Sequence, residues 1–413
     1  MKQTFFLFIT LILIFYCSSK IENDKKQVSI DYVEPWQTDI LKHEMTFGGE
    51  ESGIDNEFLL VSPMWLNVNN NGDIILSDEN CIKVYDKFGK GKKIIGRKGQ
   101  GPGDFMGAPY VVITPNGFIT ADEGGGALNN RYYTVFKPDY NILNKWRYYP
   151  SPELEEYLTD MNMDFKINAL VKIVAINQDS FVYQINFFEK DTNNQNTLIA
   201  FEDNKDFKPV FCGRNPFYIV YKKSLLQTGF VNHFDFHILP DNKILYFNTV
   251  EDSIIDSNLG YYSFHIFSLE TNSDIVYKNK FIPQELSEES IDKFLNTAIR
   301  DPSASDFKKF VRKTWLEDGY RPSISRIIID RNFIFIFLSN IDNNRMVQVF
   351  DSNINKIIYE FKWPIEFERP YSIGNGRFCL VSYDDEGLPI LRKYKINPIV
   401  YGLPEDPDWR TKK

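Results

Sequence analysis

Two-residue turns of the Asn-Gly kind recur along this chain at spacings that a series of small, similar sheets would produce. Asn71-Gly72 divides Leu66-Asn67-Val68-Asn69 from Ile74-Ile75-Leu76, the pattern of a tight β-hairpin. Asp78 follows, then Ile82-Lys83-Val84-Tyr85, a turn at Asp86-Lys87-Phe88-Gly89, and Lys93-Ile94-Ile95. This reads as a four-stranded antiparallel meander. The same order returns in Val111 to Thr114, Asn116-Gly117, Phe118 to Ala121 and Tyr133 to Phe136. Further turns are expected at Gln178-Asp179, Asp241-Asn242, Arg331-Asn332 and Asn375-Gly376. The turns end at 72, 117, 179, 242, 332 and 376, at intervals of 45, 62, 63, 90 and 44. Four-strand repeats of this length predict an all-β fold, a six-bladed β-propeller of four-stranded antiparallel blades over residues 40–400. The last unit, Tyr371 to Ile396, has only three strands before Pro398. Ile40 to Phe47 is expected to supply the fourth and close the ring, so that no end blade keeps an open edge.

The interval of 90 holds a change of period. After Pro283, apolar residues fall at 291, 294, 295 and 298, and again at Phe307, Phe310, Val311 and Trp315. That helical spacing predicts an insertion over about 283–322, with Ser287 able to cap its first helix. Composition agrees with the all-β reading: aromatics supply 15% of the chain, and 43% is hydrophobic, enough for a sizeable core. With 47 Lys plus Arg against 56 Asp plus Glu, the acidic balance argues against a nucleic-acid partner. A disordered, collagenous or multi-span membrane chain is excluded on the same composition.

The first residues read as an address. Met1-Lys2 precedes an apolar run from Phe5 to Tyr16 that would span about 18 Å as a helix, short of a roughly 30 Å hydrocarbon core. Residues 1–16 are expected to be a signal peptide. Ile14-Phe15-Tyr16-Cys17 resembles a bacterial lipobox, although Tyr16 replaces the usual small residue. Cys17 is the expected lipidation site, and 17–39 a flexible polar tether holding the body to a membrane of the bacterial cell envelope. Residues 401–413 are read as a C-terminal tail. Cys81, Cys212 and Cys379 are far apart and contain no C-x-x-C, so they are expected as small buried hydrophobes.

Ile94-Ile95-Gly96-Arg97-Lys98-Gly99-Gln100-Gly101-Pro102-Gly103-Asp104-Phe105, following Val84-Tyr85-Asp86, looks like the blade junction of NHL-type propellers. More closely, it is similar to six-bladed β-propeller lipoproteins of Bacteroidetes-type bacteria. The match is good over 66–105 and loose over 40–400. What the resemblance implies is a fold and a lipid anchor more than an activity.

Candidate sites are few. The glycine run at 99, 101 and 103 lacks the P-loop spacing and is read as a junction needing positive φ, with an anion nest beside Arg97 and Lys98 as the alternative. In His233-Phe234-Asp235-Phe236-His237, alternation puts His233, Asp235 and His237 on one face. Positions four apart on a strand are about 13 Å apart, too far for both imidazoles to grip one ion. A polar strand facing the channel or a loop is the reading preferred. His43 and His265 stand alone. Acids follow the second strand of several units, and Asp78, Asp122, Asp235, Asp252 and Asp384 are weak metal candidates, for Ca²⁺ if any. In NHL-like blades such an Asp fixes the local turn. Amidating lyases and lactonase-type propellers hold a metal in the central channel. The scarcity of His weakens the first comparison, and the abundance of carboxylates and Asn leaves the second open. No G-x-S-x-G occurs, and no catalytic residue is assigned.

In such a blade the second-to-third loops and the interblade junctions open on one rim. Here they are long, at 96–106, 122–131, 184–196, 212–230, 249–260 and 283–322. Binding is expected on that rim, with Arg97, Lys98, Tyr218, Tyr221 and Lys222 as candidates. The leading reading is a lipid-anchored binding or scaffolding module for a protein or saccharide ligand. The alternative is a metal-dependent hydrolase or lyase with its site in the central channel.

Overall fold

The computed structural model describes residues 39–50, 53–101, 103–122, 132–147, 151–161, 163–189, 195–204, 206–215, 218–221, 224–227, 234–256, 259–299, 305–339, 345–365 and 370–409. Strand β1 (Leu41–Phe47) precedes the first blade, formed by β2 (Pro63–Val68), β3 (Ile74–Asp78), β4 (Cys81–Tyr85) and β5 (Gly91–Ile95). The second blade is β6 (Tyr110–Ile113), β7 (Ile119–Asp122), β8 (Tyr132–Phe136) and β9 (Ile142–Arg147). Helix α1 (Pro152–Asp160) leads into the third: β10 (Met163–Ala175), β11 (Ser180–Glu189), β12 (Gln195–Asp203) and β13 (Phe207–Arg214). A separate hairpin, β14 (Tyr218–Tyr221) with β15 (Ser224–Gln227), precedes the fourth. That blade contains β16 (Phe234–Leu239), β17 (Lys243–Asn248), β18 (Ser253–Asp256), β19 (Leu259–Ser268) and β20 (Ser273–Phe281). Helices α2 (Glu288–Ala298) and α3 (Ser305–Asp318) come next, then the fifth blade, β21 (Ile324–Asp330), β22 (Phe333–Leu338), β23 (Met346–Asp351) and β24 (Lys356–Lys362). The last blade holds β25 (Tyr371–Gly374), β26 (Arg377–Tyr383) and β27 (Pro389–Ile396). Its fourth strand is β1, antiparallel to β27 from Leu41 opposite Ile396 to Phe47 opposite Leu391. The expected closure is therefore present.

The turns explain why the chain reverses where it does. Gly72 and Gly117 have φ of 83° and 81°, and Asp241, Asn242, Asn375 and Gly376 all lie at positive φ. Those are the left-handed positions that tight hairpin turns require and that Asn, Asp and Gly tolerate. Arg331 adopts φ 58°, where its charge pairs with the buried Asp330 carboxylate at 3.2 Å. The turn at Gln178-Asp179 differs: neither residue is left-handed, and Asn177 Oδ1 accepts the Asp179 N–H at 2.8 Å instead.

Six clusters of buried apolar side chains lie between consecutive sheets, one at each interface of the ring. Ile75 and Val84 meet Ile119 and Phe136 between the first and second blades. Tyr133 meets Tyr183, and Val182 meets Phe236, at the next two interfaces. Phe264 meets Phe350, Phe337 meets Phe378, and Leu76 meets Val381 at the remaining three. Six interfaces for six blades leave no open seam, so sheet-on-sheet burial stabilises the ring continuously. The closing seam is tight. A Cβ at Gly374 would sit 2.6 Å from Val68 O, and one at Gly89 would sit 2.8 Å from the Phe47 ring.

Helices α2 and α3 form a hairpin with its own small core of Leu286, Ile291, Leu295, Val311 and Trp315. Ser287 caps α2 by accepting the Ser290 N–H at 3.2 Å, as the spacing predicts. Phe310 is half-exposed, not part of the core stripe. The base of the insertion is tied by Arg321 N–H to Gln284 O, at 2.8 Å. Helix α1 was not expected from the sequence. Its signals are the Ser151 cap, Pro152 and the buried pair Leu154 and Leu158. The C-terminal segment folds back, with Tyr401 and Trp409 buried and Lys395 paired with Asp406 at 2.5 Å. Residues 1–16, Cys17 and the tether up to residue 38 lie outside the described residues. Cys81, Cys212 and Cys379 are free thiols. Burial pushes the Cys379 thiol up to about 12 and the other two to about 11, so none is a reactive thiolate.

Candidate functional site

Antiparallel meanders alternate their connections between two rims. Helix α1, the β14–β15 hairpin and the α2–α3 hairpin all interrupt junctions between blades, and β18 interrupts a second-to-third connection. All four therefore open on one rim. The opposite rim carries tight turns, such as Asp86 to Lys90, where Asp86 Oδ1 accepts the N–H groups of Phe88 and Lys90 at 2.8 and 3.0 Å. Several segments expected as loops are sheet. Residues 184–196 belong largely to the long strands β11 and β12, and 249–260 contains β18 paired to the start of β19. Long hairpins project here because their strands continue pairing beyond the blade edge. Helix α3 runs beside β14, so the insertions on either side of the fourth blade meet.

The residues proposed from sequence do not converge. Arg97 is largely exposed in the first junction, 3.6 Å from Asp104. Gly96 and Gly103 have positive φ, whereas Gly99 and Gly101 do not. The Asp104 carboxylate lies so close over Gly99 and Gly101 that a Cβ at either would approach Oδ2 within 2.7 and 2.9 Å. The alternative reading, a nest for an external anion beside Arg97 and Lys98, meets the chain's own Asp104 carboxylate over Gly99 and Gly101. Tyr218 and Tyr221 are strand positions of β14, opposite Gln227 and Ser224. Lys222 lies outside the described residues, as do 123–131 and His233.

The acids are also dispersed. Asp78 is fully buried and accepts from Ser62 N–H at 2.6 Å and from Lys83 at 2.8 Å. Asp122 is buried at the end of β7. Asp384 accepts the N–H groups of Glu386 and Leu388 within its own turn. Among the described residues no three His, Cys, Asp or Glu side chains gather as metal ligands. Asp384 matches the turn-fixing role instead, whereas Asp78 ties down Val61 and Ser62, ahead of β2.

Neither histidine expected to stand alone does so. His43 Nε2 lies 2.9 Å from Thr46 Oγ1. His265 sits between Asp252 at 3.0 Å and Asp274 at 2.8 Å, stacked on Tyr246 with ring centroids 4.5 Å apart. Burial alone would lower its pKa, but hydrogen bonds to Asp252 and Asp274 and their charges outweigh it and hold the pKa up. Both ring nitrogens can donate only in the imidazolium form. A pKa raised in the folded state gives stability that is complete below about 6.5, the unfolded value, and lost as pH rises through the folded value. We expect the melting temperature to fall over that window, and His265→Gln to remove that part of the slope. Equal slopes in both proteins, measured by thermal denaturation across pH, would refute this.

A second constellation was not foreseen. The first strand of each blade is innermost, since β2 lies against β6 and β25, and β25 against β21. Trp65 on β2 and Tyr110 on β6 meet edge to face at 4.6 Å. Lys172 on β10 reaches across to Asp235 on β16 at 2.7 Å, with its ammonium 4.4 Å from the Phe236 ring centroid. His237, also on β16, has Nε2 3.3 Å from Asp235 but outside hydrogen-bond geometry. Arg326 on β21 stacks on Tyr371 of β25 at 4.0 Å and donates to its carbonyl at 3.3 Å. Arg326 also acts electrostatically on Tyr110, from the opposite side of the ring, and on His237. The six inner strands thus bring these groups to the inner side of the ring, with Tyr371 itself buried in the core between the fifth and sixth blades.

Burial disfavours charge on Lys172, but the Asp235 carboxylate outweighs it and holds the amine protonated. For His237 burial wins over Asp235, so its pKa is lowered and the ring is neutral near neutral pH. Burial likewise raises the Tyr110 phenol. Phe234 and Phe236 are buried while Asp235 and His237 keep water access, matching the alternation read from the sequence.

No protein-family model matches the chain, and no curated protein matches it. Among solved structures it is similar to the β-propeller domain of Cps50 (Swd1) from Myceliophteria thermophila, with 6% identity, 86% of this chain and 100% of that one covered, and a TM-score of 0.40. An oligogalacturonate lyase in complex with manganese gives 9% identity, 87% and 98% coverage, and a TM-score of 0.40. A protein of unknown function from Bacteroides caccae gives 9%, 74% and 83%, and a TM-score of 0.33. The fold rests on the strand pairing itself: this chain is a six-bladed β-propeller closed by its N-terminal strand.

Proposed function

We propose that this propeller is a lipid-anchored binding module of the bacterial cell envelope, similar to the NHL-like lipoproteins of Bacteroidetes-type bacteria. Its insertion-bearing rim takes a protein or saccharide ligand. The observation that carries this reading is the segregation of α1, the β14–β15 hairpin, β18 and the α2–α3 hairpin to one rim of a rigid ring. Protruding segments on a rigid scaffold are where binding surfaces evolve without loss of fold. The apolar leader and Cys17 support anchoring.

The test trims the rim. Replacing 283–322 and 216–228 by short turns should leave the ring's cooperative melt intact and abolish retention of glycans or envelope proteins that the intact chain retains. An equally effective trimmed ring would refute the rim as the binding face. In the same cells an alkyne-tagged fatty acid should label the intact protein and not Cys17→Ala; equal labelling of both would refute lipidation there.

A further inference from the structure

We propose that the axis of the ring is a binding site for a small monocarboxylate carried on a sugar-like ring, with Arg326 gripping the carboxylate and Trp65 forming a platform for the ring. The site is distinct from the rim, and the proposal stands or falls without it.

The charges near the axis define the class of ligand. Lys172 is paired with Asp235 at 2.7 Å. Among the described residues Arg326 forms no ion pair; it donates only to a backbone carbonyl while stacked on Tyr371. A guanidinium in this state offers a planar fork of N–H donors that matches a carboxylate in two parallel hydrogen bonds. Among the described residues His237 Nε2 is a buried nitrogen without a hydrogen-bond partner, the Asp235 carboxylate at 3.3 Å lying outside hydrogen-bond geometry, and it is within the electrostatic reach of Arg326. An incoming oxygen can satisfy it.

Among the described residues, Lys172 and Arg326 stand against the Asp235 carboxylate beside a neutral imidazole, an excess of one positive charge at the axis. That suits a monoanion, whereas Asp235 opposes the second charge of a phosphate dianion. Asp122, the other carboxylate acting on Tyr110, is buried on β7, one strand further from the axis. Trp65 is 41% exposed and is held edge to face by Tyr110. A braced, half-open indole presents an apolar face that a flat or cyclic ligand covers at low entropic cost.

The test is calorimetric titration of the intact chain with D-glucuronate, D-glucose, acetate and inorganic phosphate. Glucuronate should give saturable one-to-one binding, with glucose weaker by about tenfold to a hundredfold, the range for a lost charge-assisted hydrogen-bond pair. Arg326→Lys should weaken glucuronate by about tenfold, because an ammonium cannot make the fork. Trp65→Ala should weaken glucuronate and leave acetate unchanged. The proposal is overturned if glucuronate shows no saturable binding, if glucose or phosphate binds as tightly, or if Arg326→Lys binds glucuronate with unchanged affinity. The comparison among ligands needs only the unmodified protein, so a variant that fails to fold does not remove the test.

Discussion

Deleting residues 40–47 is expected to abolish the ring's cooperative melt, not to loosen one blade. Strand β1 contributes to two interfaces at once. Ile40 and Leu41 join the core between the fifth and sixth blades, while Phe47 joins the core between the sixth and first. Leu41 is fully buried, and Phe47 packs 5.3 Å from the Tyr85 ring. Truncating a large buried side chain costs about 2–5 kcal/mol. Losing three of them together with a strand ladder exceeds much of the roughly 5–15 kcal/mol that stabilises a domain. Leu41→Ala and Phe47→Ala should each lower stability by about 3 kcal/mol. A truncated chain with an unchanged melting temperature would contradict the closed-ring account.

Asp78→Ala is expected to destabilise the protein by about 3–5 kcal/mol, the cost of breaking a buried ion pair from one side. Asp78 receives the N–H groups of Val61 and Ser62 at 3.1 and 2.6 Å, thereby pinning the segment between β1 and β2. It also neutralises Lys83, which is only 5% exposed. Removing the carboxylate leaves that buried ammonium without a counter-charge, held by the Leu59 carbonyl to which it also donates. The double variant Asp78→Asn with Lys83→Met should recover much of the loss, since no buried charge then remains. Urea denaturation of the three proteins decides the matter. A single variant within about 1 kcal/mol of the parent, the value of a surface pair, would show that Asp78 does not hold this seam.

The two predictions draw on features of unequal visibility in the sequence. Gly72, Gly117, Asp241-Asn242 and Asn375-Gly376 announce left-handed turns because few other residues accept that backbone. The missing fourth strand after Pro398 likewise pointed to β1. Helix α1 was obscured although Ser151, Pro152 and the Leu154–Leu158 spacing mark it, because nine helical residues between two strands offer little periodicity. The Asp235 and His237 face was readable from two-residue alternation. The rest of the axial cluster was not. Its members, from Trp65 to Tyr371, sit on six strands that meet only after the ring closes, and no local spacing relates them. The same holds for His265, whose partner Asp252 comes from the connection leading to β18 and whose partner Asp274 comes from β20.

Hydrogen exchange of the β1 backbone tests the central claim most directly. Under native conditions, the amides of Leu41–Phe47 paired to β27 should exchange only with global unfolding, at the same free energy as those of β26 and β27. Exchange of β1 at the rate of a fraying terminus, with β26 and β27 still protected, would contradict a ring closed by its first strand.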